Sequence, residues 1–384
     1  MFSIFRIFFG LGCLSFGGPA AHIGYFRTAF VEKLKWLSEK EYAQLVALSQ
    51  FLPGPASSQV GFALSYKKGG LGGALAAFLG FTLPSVVLML ALAIVAQQIN
   101  DSSYFQNVVH GLKLLAVVVV ADATWGMFKN FCTSKLTTFL CFITAASLLL
   151  APSVSTQLYV LVFSALIGGF YLSSSTIASK QESRSNKLIS SLFPLAIFGF
   201  LLLVLPLFSL NAKFSVFNDF FQAGSLVFGG GHVALPLLQN IVGEQLSQNS
   251  FLTGYAAAQA VPGPMFSFAT YLGYELLPSS PFAGALLATV AIFLPGFLLI
   301  LAAMPHWQTL SNNTKLAGVM NGVNASVVGL LLSALYTPIS TSAIHSPVDI
   351  VFILALLFLF KTVKLPIGWI VCMVLLSSYV AIVT

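Results

Sequence analysis

Long apolar runs separated by short polar stretches fill most of the chain. Runs without any Lys, Arg, Asp or Glu cover residues 69–100, 136–179, 188–212, 245–274, 276–314 and 316–348. Each exceeds the roughly 20 apolar residues with which a helix crosses a bilayer. The pattern predicts an all-α polytopic membrane protein. The apolar stretch 42–66 and the run 245–274 carry the same interruption, "QFLPGP" at 50–55 and "QAVPGP" at 259–264. Two prolines around a glycine end a helix, because each proline lacks an N–H and clashes with the preceding turn.

The interruption belongs to a longer duplication. Laying residues 16–111 over 228–322 brings Phe16-Gly17-Gly18 onto Phe228-Gly229-Gly230 and Glu32 onto Glu244. It also matches Ser38 with Ser247, Gln50 with Gln259, Pro53-Gly54-Pro55 with Pro262-Gly263-Pro264, Pro84 with Pro295 and Gly111 with Gly322. Internal similarity of this kind has to be settled before individual residues are read. It divides the chain into a first repeat (1–172), a linker (173–187), one extra span (188–208) and a second repeat (217–384).

Charge then sets the orientation of each half. Basic residues cluster at Arg27 to Lys40, at Lys67 and Lys68, at Lys129 and Lys135, and in the linker at Lys180, Arg184 and Lys187. The matching loops of the second half, 245–250, 276–281 and 338–347, carry none, whereas the bare loop 151–156 corresponds to one holding Lys361 and Lys364. Cytoplasmic loops are enriched in Lys and Arg, so residues 71–98 are expected to run outward and residues 282–304 inward. The expectation is two inverted-topology repeats, with span 188–208 supplying the odd crossing; Lys213, on the outer side, is the single exception. Inverted repeats are a recurring plan of secondary transporters, which bind substrate near the midplane at the repeat interface.

Residues 42–66 start and end beside basic clusters, so they are expected to enter and leave on one side as a broken, re-entrant helical hairpin tipped by Pro53-Gly54-Pro55. Residues 2–31 break similarly at "SFGGP", where Pro19 suits the first turn of a new helix. Non-helical backbone at membrane depth is tolerated where it is buried in protein or lines a cavity. The N-termini of half-helices present free N–H groups and a positive dipole end to an anion. Ser57, Ser58 and Gln59 after one break, and Ser267, Thr270 and Tyr271 after the other, are candidate further donors. A lone Pro-Gly-Pro is usually a kink; a matched pair in corresponding positions points instead to a transport site.

Ionisable groups inside spans are costly and are read one by one. Lys113 has two readings, a counter-charge for a substrate anion and a side chain snorkelling to the outer interface. Asp122 lies on the opposite face of the same helix and is read either as a coupling-proton carrier or as a group near the inner end. His22 and His232 follow the two glycine breaks without being equivalent, and each can titrate in a cycle or serve as a hydrogen-bonded packing residue. Glu32 and Glu244 sit near span ends and are read as interfacial or helix-packing residues. Asn324 can donate to a ligand or to a neighbouring helix.

Composition narrows the function classes. Of 384 residues, 58% are hydrophobic and 7% are charged, against roughly 25% charged in soluble domains, so the chain cannot make a water-soluble surface. The net charge of +7 reports orientation in the membrane and not nucleic-acid binding. Cys13, Cys132, Cys141 and Cys372 have no metal-ligand spacing and are read as packing residues. The first segment, interrupted by Arg6, is read as a retained part of the protein. No Walker sequence, no HExxH and no paired-carboxylate cluster is present; neither catalysis nor a cofactor is expected.

With "FGGPAAHI" at 16–23, "FVEKLKWLSEKEY" at 30–42, "QFLPGPASSQVGFALSY" at 50–66, "FGGGHVALPLL" at 228–238, "QAVPGPMFSFATYLGY" at 259–274, "ATVAIFLPGFLLIL" at 288–301 and "GVNASVVGLLLSALY" at 322–336, the chain resembles the chromate ion transporter family in its long, two-domain form. The resemblance implies a membrane protein that moves chromate out of the cytoplasm and confers chromate resistance, with sulfate as the similar oxyanion; the expectation built on it is a multi-pass protein of the cell inner membrane, with protons as a candidate coupling ion and a homodimer as a candidate assembly. It places the family's signature positions on Gly17, Gly18, Pro19, His22, Gln50, Pro53, Gly54 and Pro55, and on Gly229, Gly230, Gly231, Gln259, Pro262, Gly263 and Pro264. The stretch "GEQLSQNSF" after Val242 is shorter than its first-half counterpart and lacks a match to Trp36. A passive anion channel is the reading from another class.

Overall fold

The protein was studied as a computed structural model, which describes residues 1–16, 18–99, 103–172, 188–208, 211–227, 234–242, 245–307, 313–363, 365 and 369–374. Every regular element among them is helical. The first half contributes α1 (Phe2–Leu14), α2 (Gly18–Phe26), α3 (Glu39–Phe51), α4 (Ala56–Ile99), α5 (Ser103–Phe131), α6 (Lys135–Leu150) and α7 (Val154–Tyr171). After α8 (Leu188–Leu203) come α9 (Ala212–Leu226), α10 (Ala234–Val242), α11 (Gln248–Ala260), α12 (Phe268–Leu276), α13 (Pro281–Ala303), α14 (Thr314–Ala334) and α15 (Pro347–Phe358). Among the described residues, four stretches are long and apolar enough to cross a membrane: Ala56–Ala96, Gln106–Phe131, Pro281–His306 and Thr314–Ala343.

The helix starts repeat between the halves. Ser38 caps α3 and its counterpart Ser247 caps α11, each side chain accepting a backbone N–H of the first turn. At α3 the Ser38 N–H and hydroxyl also donate to Glu41, at 3.0 and 2.8 Å. These two bonds hold the exposed Glu41 carboxyl below its ordinary range. Ser134 and Ser346 close similar capping boxes at α6 and α15.

Both Pro-Gly-Pro sequences interrupt helices as the sequence predicts. α3 and α11 have 13 residues each. At 1.5 Å per residue such a helix spans about 20 Å, short of the roughly 30 Å hydrocarbon core. Beyond the first break, α4 departs from helical geometry at Gly69 and Gly70, the latter with φ 62°. The chain folds back there, since a Cβ on Gly73 would lie 2.8 Å from the Ser65 carbonyl oxygen. In the second half Gly273 and Gly284 touch across the turn between α12 and α13. Two short arms and a following full-length span thus occur in each half.

Close backbone approach organises the packing, which in a membrane rests on small residues more than on the hydrophobic effect. Gly12 of α1 lies against the Phe81 carbonyl of α4, and Gly224 of α9 against the Ile292 carbonyl of α13. α14 sits against α7 through Gly168 and Gly322, and against α6 through Gly329 and a 2.8 Å hydroxyl pair between Thr144 and Ser326. On α4 the positions Ala74, Ala77, Phe81, Met89 and Ala93 are buried, while Leu71, Leu75, Leu79 and Val87 point outward. Outward apolar rows also run along α13 (Phe282, Leu286, Val290) and α15 (Val351, Leu354, Phe358). Such rows suit lipid and would be a liability in water.

Arg27 pairs with Glu32 and with Glu39, at 2.5 and 2.7 Å; Glu244 lies outside the described residues. Asp122 pairs with Lys361, a partner from the second half.

Candidate functional site

The breaks of the two halves meet one another. The Gly54 N–H donates to the Val227 carbonyl at 2.7 Å, and the Gly263 N–H donates to the Ser15 carbonyl at 2.8 Å. In the internal alignment Gly54 corresponds to Gly263 and Ser15 to Val227. Each bond is therefore the counterpart of the other, and each tip is tied to the glycine break of the opposite half. The Ser15 and Val227 carbonyls belong to buried residues beside the breaks and need donors, which these two amides supply.

Glycine is required at both tips. Gly54 has φ 124° and Gly263 has φ 98°, where side chains are strongly disfavoured. A Cβ on Gly54 would lie 2.8 Å from the Gly296 Cα, and one on Gly263 would lie 3.0 Å from Ser85 Oγ. Ser85 and Gly296 each directly follow one of the matched prolines, Pro84 and Pro295, so these contacts too are counterparts.

The two tips differ in what they offer an anion. After the first, the initial amides of α4, those of Ala56, Ser57 and Ser58, have no acceptor among the described residues, and all three residues are buried. After the second, a short 3-10 turn intervenes: the Ser267 N–H donates to the Pro264 carbonyl at 2.9 Å, and the Phe268 N–H to the carbonyls of Met265 and Phe266. Consecutive unpaired amides at a helix start form an anion cradle, and the described residues carry the fuller one at α4.

Side chains from three elements converge on that end. His22 of α2 is fully buried. Its Nε2 lies 3.3 Å from the Ser15 carbonyl and its Nδ1 lies 3.3 Å from Ser57 Oγ. A carbonyl only accepts, so Nε2 carries the proton, and in the neutral ring Nδ1 accepts from the Ser57 hydroxyl. The ring stands perpendicular to Phe81 at 5.2 Å. Ser58 Oγ and Thr82 Oγ1, both buried without partners, line one small cavity with Phe8, Gly61 and Phe81. Its space is on the order of one water molecule. Ser15 Oγ is also buried and unpaired.

Gln59, a candidate donor from its sequence position, spends its amide hydrogens within the protein. Its Nε2 donates to the Pro53 carbonyl at 2.8 Å and to the Gly296 carbonyl at 3.2 Å.

Other candidates fall elsewhere or contribute backbone. Gly18, with φ 77°, opens α2 just ahead of Pro19. Pro53, Pro55, Pro262 and Pro264 shape the tips. Gln50 is exposed, whereas Gln259 is buried and donates to Met265 Sδ at 3.0 Å. Ser267 Oγ is buried and unpaired, Thr270 pairs with Thr289 at 2.7 Å, and Tyr271 with Ser250 at 3.2 Å. Gly17, Gly229, Gly230, Gly231 and His232 lie outside the described residues. Among those described, no group of three His, Cys, Asp or Glu side chains could hold a metal ion.

With Gly111 over Gly322, Lys113 and Asn324 occupy equivalent positions. Lys113 Nζ donates to Asn249 Oδ1 at 2.6 Å, at the start of α11, and Asn324 Oδ1 is buried without a donor. Replacing Lys113 by Met should cost about 1.5–3 kcal/mol through the lost charged hydrogen bond. Asn249→Ala should remove the same interaction, so thermal unfolding of the double variant in detergent should show far less than the summed loss. Additive losses would mean that the two side chains are not coupled.

Ser15, Thr82, Ser85 and Gly296 are site residues that sequence reasoning missed. A signal existed for two of them, because Ser85 and Gly296 adjoin the matched prolines.

Comparison with known proteins extends the internal duplication. The family described as chromate transporter matches residues 2–169 and again residues 214–380. An uncharacterized transporter of Methanocaldococcus jannaschii is 28% identical over 376 residues, covering 94% of this chain and 89% of its own. A probable chromate transport protein of Synechococcus elongatus is 28% identical over 94% of this chain and 90% of its own. A chromate transport protein of Cupriavidus metallidurans is 27% identical over 93% of this chain and 87% of its own. No solved structure shows a significant match.

Proposed function

The chain belongs to the chromate transporter family, and from that premise we propose that it carries chromate across the cell inner membrane by secondary active transport. Export is driven by the proton-motive force and lowers chromate in the cytoplasm. The observation that carries this reading is the crossed pair of tip bonds, Gly54 to Val227 and Gly263 to Ser15. A carrier that alternates access needs two arrangements of similar energy, and two halves joined by counterpart contacts can exchange roles between such arrangements. The repeats 1–172 and 217–384 are inverted in this scheme, with the linker on the cytoplasmic side.

The anion is held at the start of α4, by the amides of Ala56, Ser57 and Ser58 and the hydroxyls of Ser58 and Thr82. To make room for it the tips must part, which breaks a crossed bond and frees a tip amide to take part. His22 links the two first-half breaks through Ser15 and Ser57, and so transmits movement of one to the other. The tight packing at the crossing favours a carrier over a passive pore, since a pore requires a continuous path.

Everted membrane vesicles test the proposal. Imposing a proton gradient should drive uptake of chromate against its concentration, and cells making the protein should accumulate less chromate than cells without it. Vesicles that only equilibrate chromate would point to a channel. Absence of uptake together with normal cellular accumulation would refute the proposal. Excess sulfate should be included, because displacement of chromate by sulfate would widen the substrate class to tetrahedral dianions.

A further inference from the structure

Gln59 is completely buried one residue beyond Ser58. Its carboxamide orientation is settled by its neighbours, since only the nitrogen can face the carbonyls of Pro53 and Gly296. The oxygen on the same carbon therefore lies at the tip too, and Oε1 has no donor. The unpaired hydroxyls of Ser15, Ser58 and Thr82 can each turn to donate or accept. An amide oxygen can only accept, so Oε1 requires a donor from elsewhere. At the second tip the corresponding position is Phe268, which makes this acceptor a property of one tip alone.

Donors and an acceptor therefore share one end of α4. The first-turn amides favour anionic oxygens, while Oε1 opposes any oxygen that lacks a hydrogen. Together they complement an oxyanion that still carries one proton. Burying a single charge is also far less costly than burying two. We infer that Gln59 is a selectivity residue that accepts the O–H of a singly protonated oxyanion, so that the species carried is hydrogen chromate.

The inference rests on the chromate reading and sharpens it. Chromate takes up a proton near neutrality, whereas sulfate holds none until the medium is strongly acidic. Gln59 thus separates two ions of similar shape by their basicity. The titratable groups on the elements around the tips are His22 and Tyr25 on α2, Tyr66, Lys67 and Lys68 on α4, Lys213 and Asp219 on α9, Tyr255 on α11, and Tyr271, Tyr274 and Glu275 on α12. His22 bonds to a residue of the α4 start. Arg6 and Cys13 on α1 and Glu39, Lys40, Glu41 and Tyr42 on α3 also belong to packed elements, the α3 group at the end of that helix remote from the tip.

The test is exchange of labelled chromate in proteoliposomes with the same pH on both sides, which removes any driving gradient. At subsaturating chromate the wild-type rate should follow the protonated fraction, falling about tenfold per pH unit on the alkaline side of chromate's own titration. Sulfate in excess should leave it unchanged. In Gln59→Met the rate should lose this slope and become sensitive to sulfate, whereas a purely packing role would lower the rate equally at every pH. His22→Asn should keep the wild-type slope. A wild-type rate that is flat or rises with pH, a slope that persists in Gln59→Met, or a slope lost in His22→Asn would overturn the inference while chromate transport stands. If Gln59→Met fails to insert, the wild-type and His22→Asn profiles decide. No exchange by the wild type at any pH would overturn the chromate reading itself.

Discussion

Gly54→Val is expected to abolish chromate transport, with at least a 100-fold loss of rate, while the protein still inserts into the membrane. A Cβ at this position would meet the Gly296 Cα at 2.8 Å and Gln59 Nε2 at 2.9 Å. The first contact is backbone against backbone and cannot be relieved by a rotamer change. A φ of 124° adds a conformational penalty, severe for a β-branched residue. The tip must therefore move, taking its N–H from the Val227 carbonyl and the α4 start from its place. Displacement of about 1 Å at a reacting or binding centre can cost about 100-fold. Gly263→Val should be impaired less, because its nearest neighbours are Ser85 Oγ and Cβ at 3.0 and 3.1 Å and the nearest backbone atom, the Phe81 carbonyl oxygen, lies at 3.3 Å. Labelled chromate exchange, normalised to the amount of inserted protein, measures both. Normal exchange by the two variants would remove the tips from the mechanism.

Gly322→Val should act on the fold itself and lower the yield of monodisperse protein in detergent. Its Cβ would run into the Ser164 carbonyl of α7 and lie 3.0 Å from the Gly168 Cα. Both obstacles are backbone, so α14 must shift away from α7 along its length. Overpacking of this kind costs about 1–3 kcal/mol or more. Gly126→Ala is the control: no heavy atom lies within 4 Å of its would-be Cβ, and its effect should stay within about 0.5 kcal/mol. Heating before size-exclusion chromatography reads both, and equal melting of the two variants would contradict the packing argument.

The spans and the breaks were legible in the sequence because both follow from local chemistry. A charge-free run of sufficient length has no stable place in water, and Pro-Gly-Pro cannot continue a helix. The duplication was legible for a similar reason, since it is written in the chain. What the tips touch was not legible. The partner of Gly54 is Val227 and the partner of Gly263 is Ser15, residues chosen by tertiary packing and carrying no side-chain signal of the bond they make. Gln59 shows the limit most clearly. Its position after a break suggests a donor, and only the carbonyls of Pro53 and of Gly296, the latter far away in sequence, occupy its amide hydrogens and leave it an acceptor. Lys113 and Asp122 were open questions for the same reason, as their partners Asn249 and Lys361 lie in the other half.

The crossed tip bonds also set a timetable for synthesis. When Gly54 leaves the ribosome its acceptor, Val227, has not yet been made, and at about 5–20 residues per second the wait is on the order of ten seconds or more. During that interval the first tip sits in or beside the bilayer with an unsatisfied amide. The nascent first half therefore has to be sheltered by the insertion machinery, or by water at the tip, until the later breaks arrive to complete it.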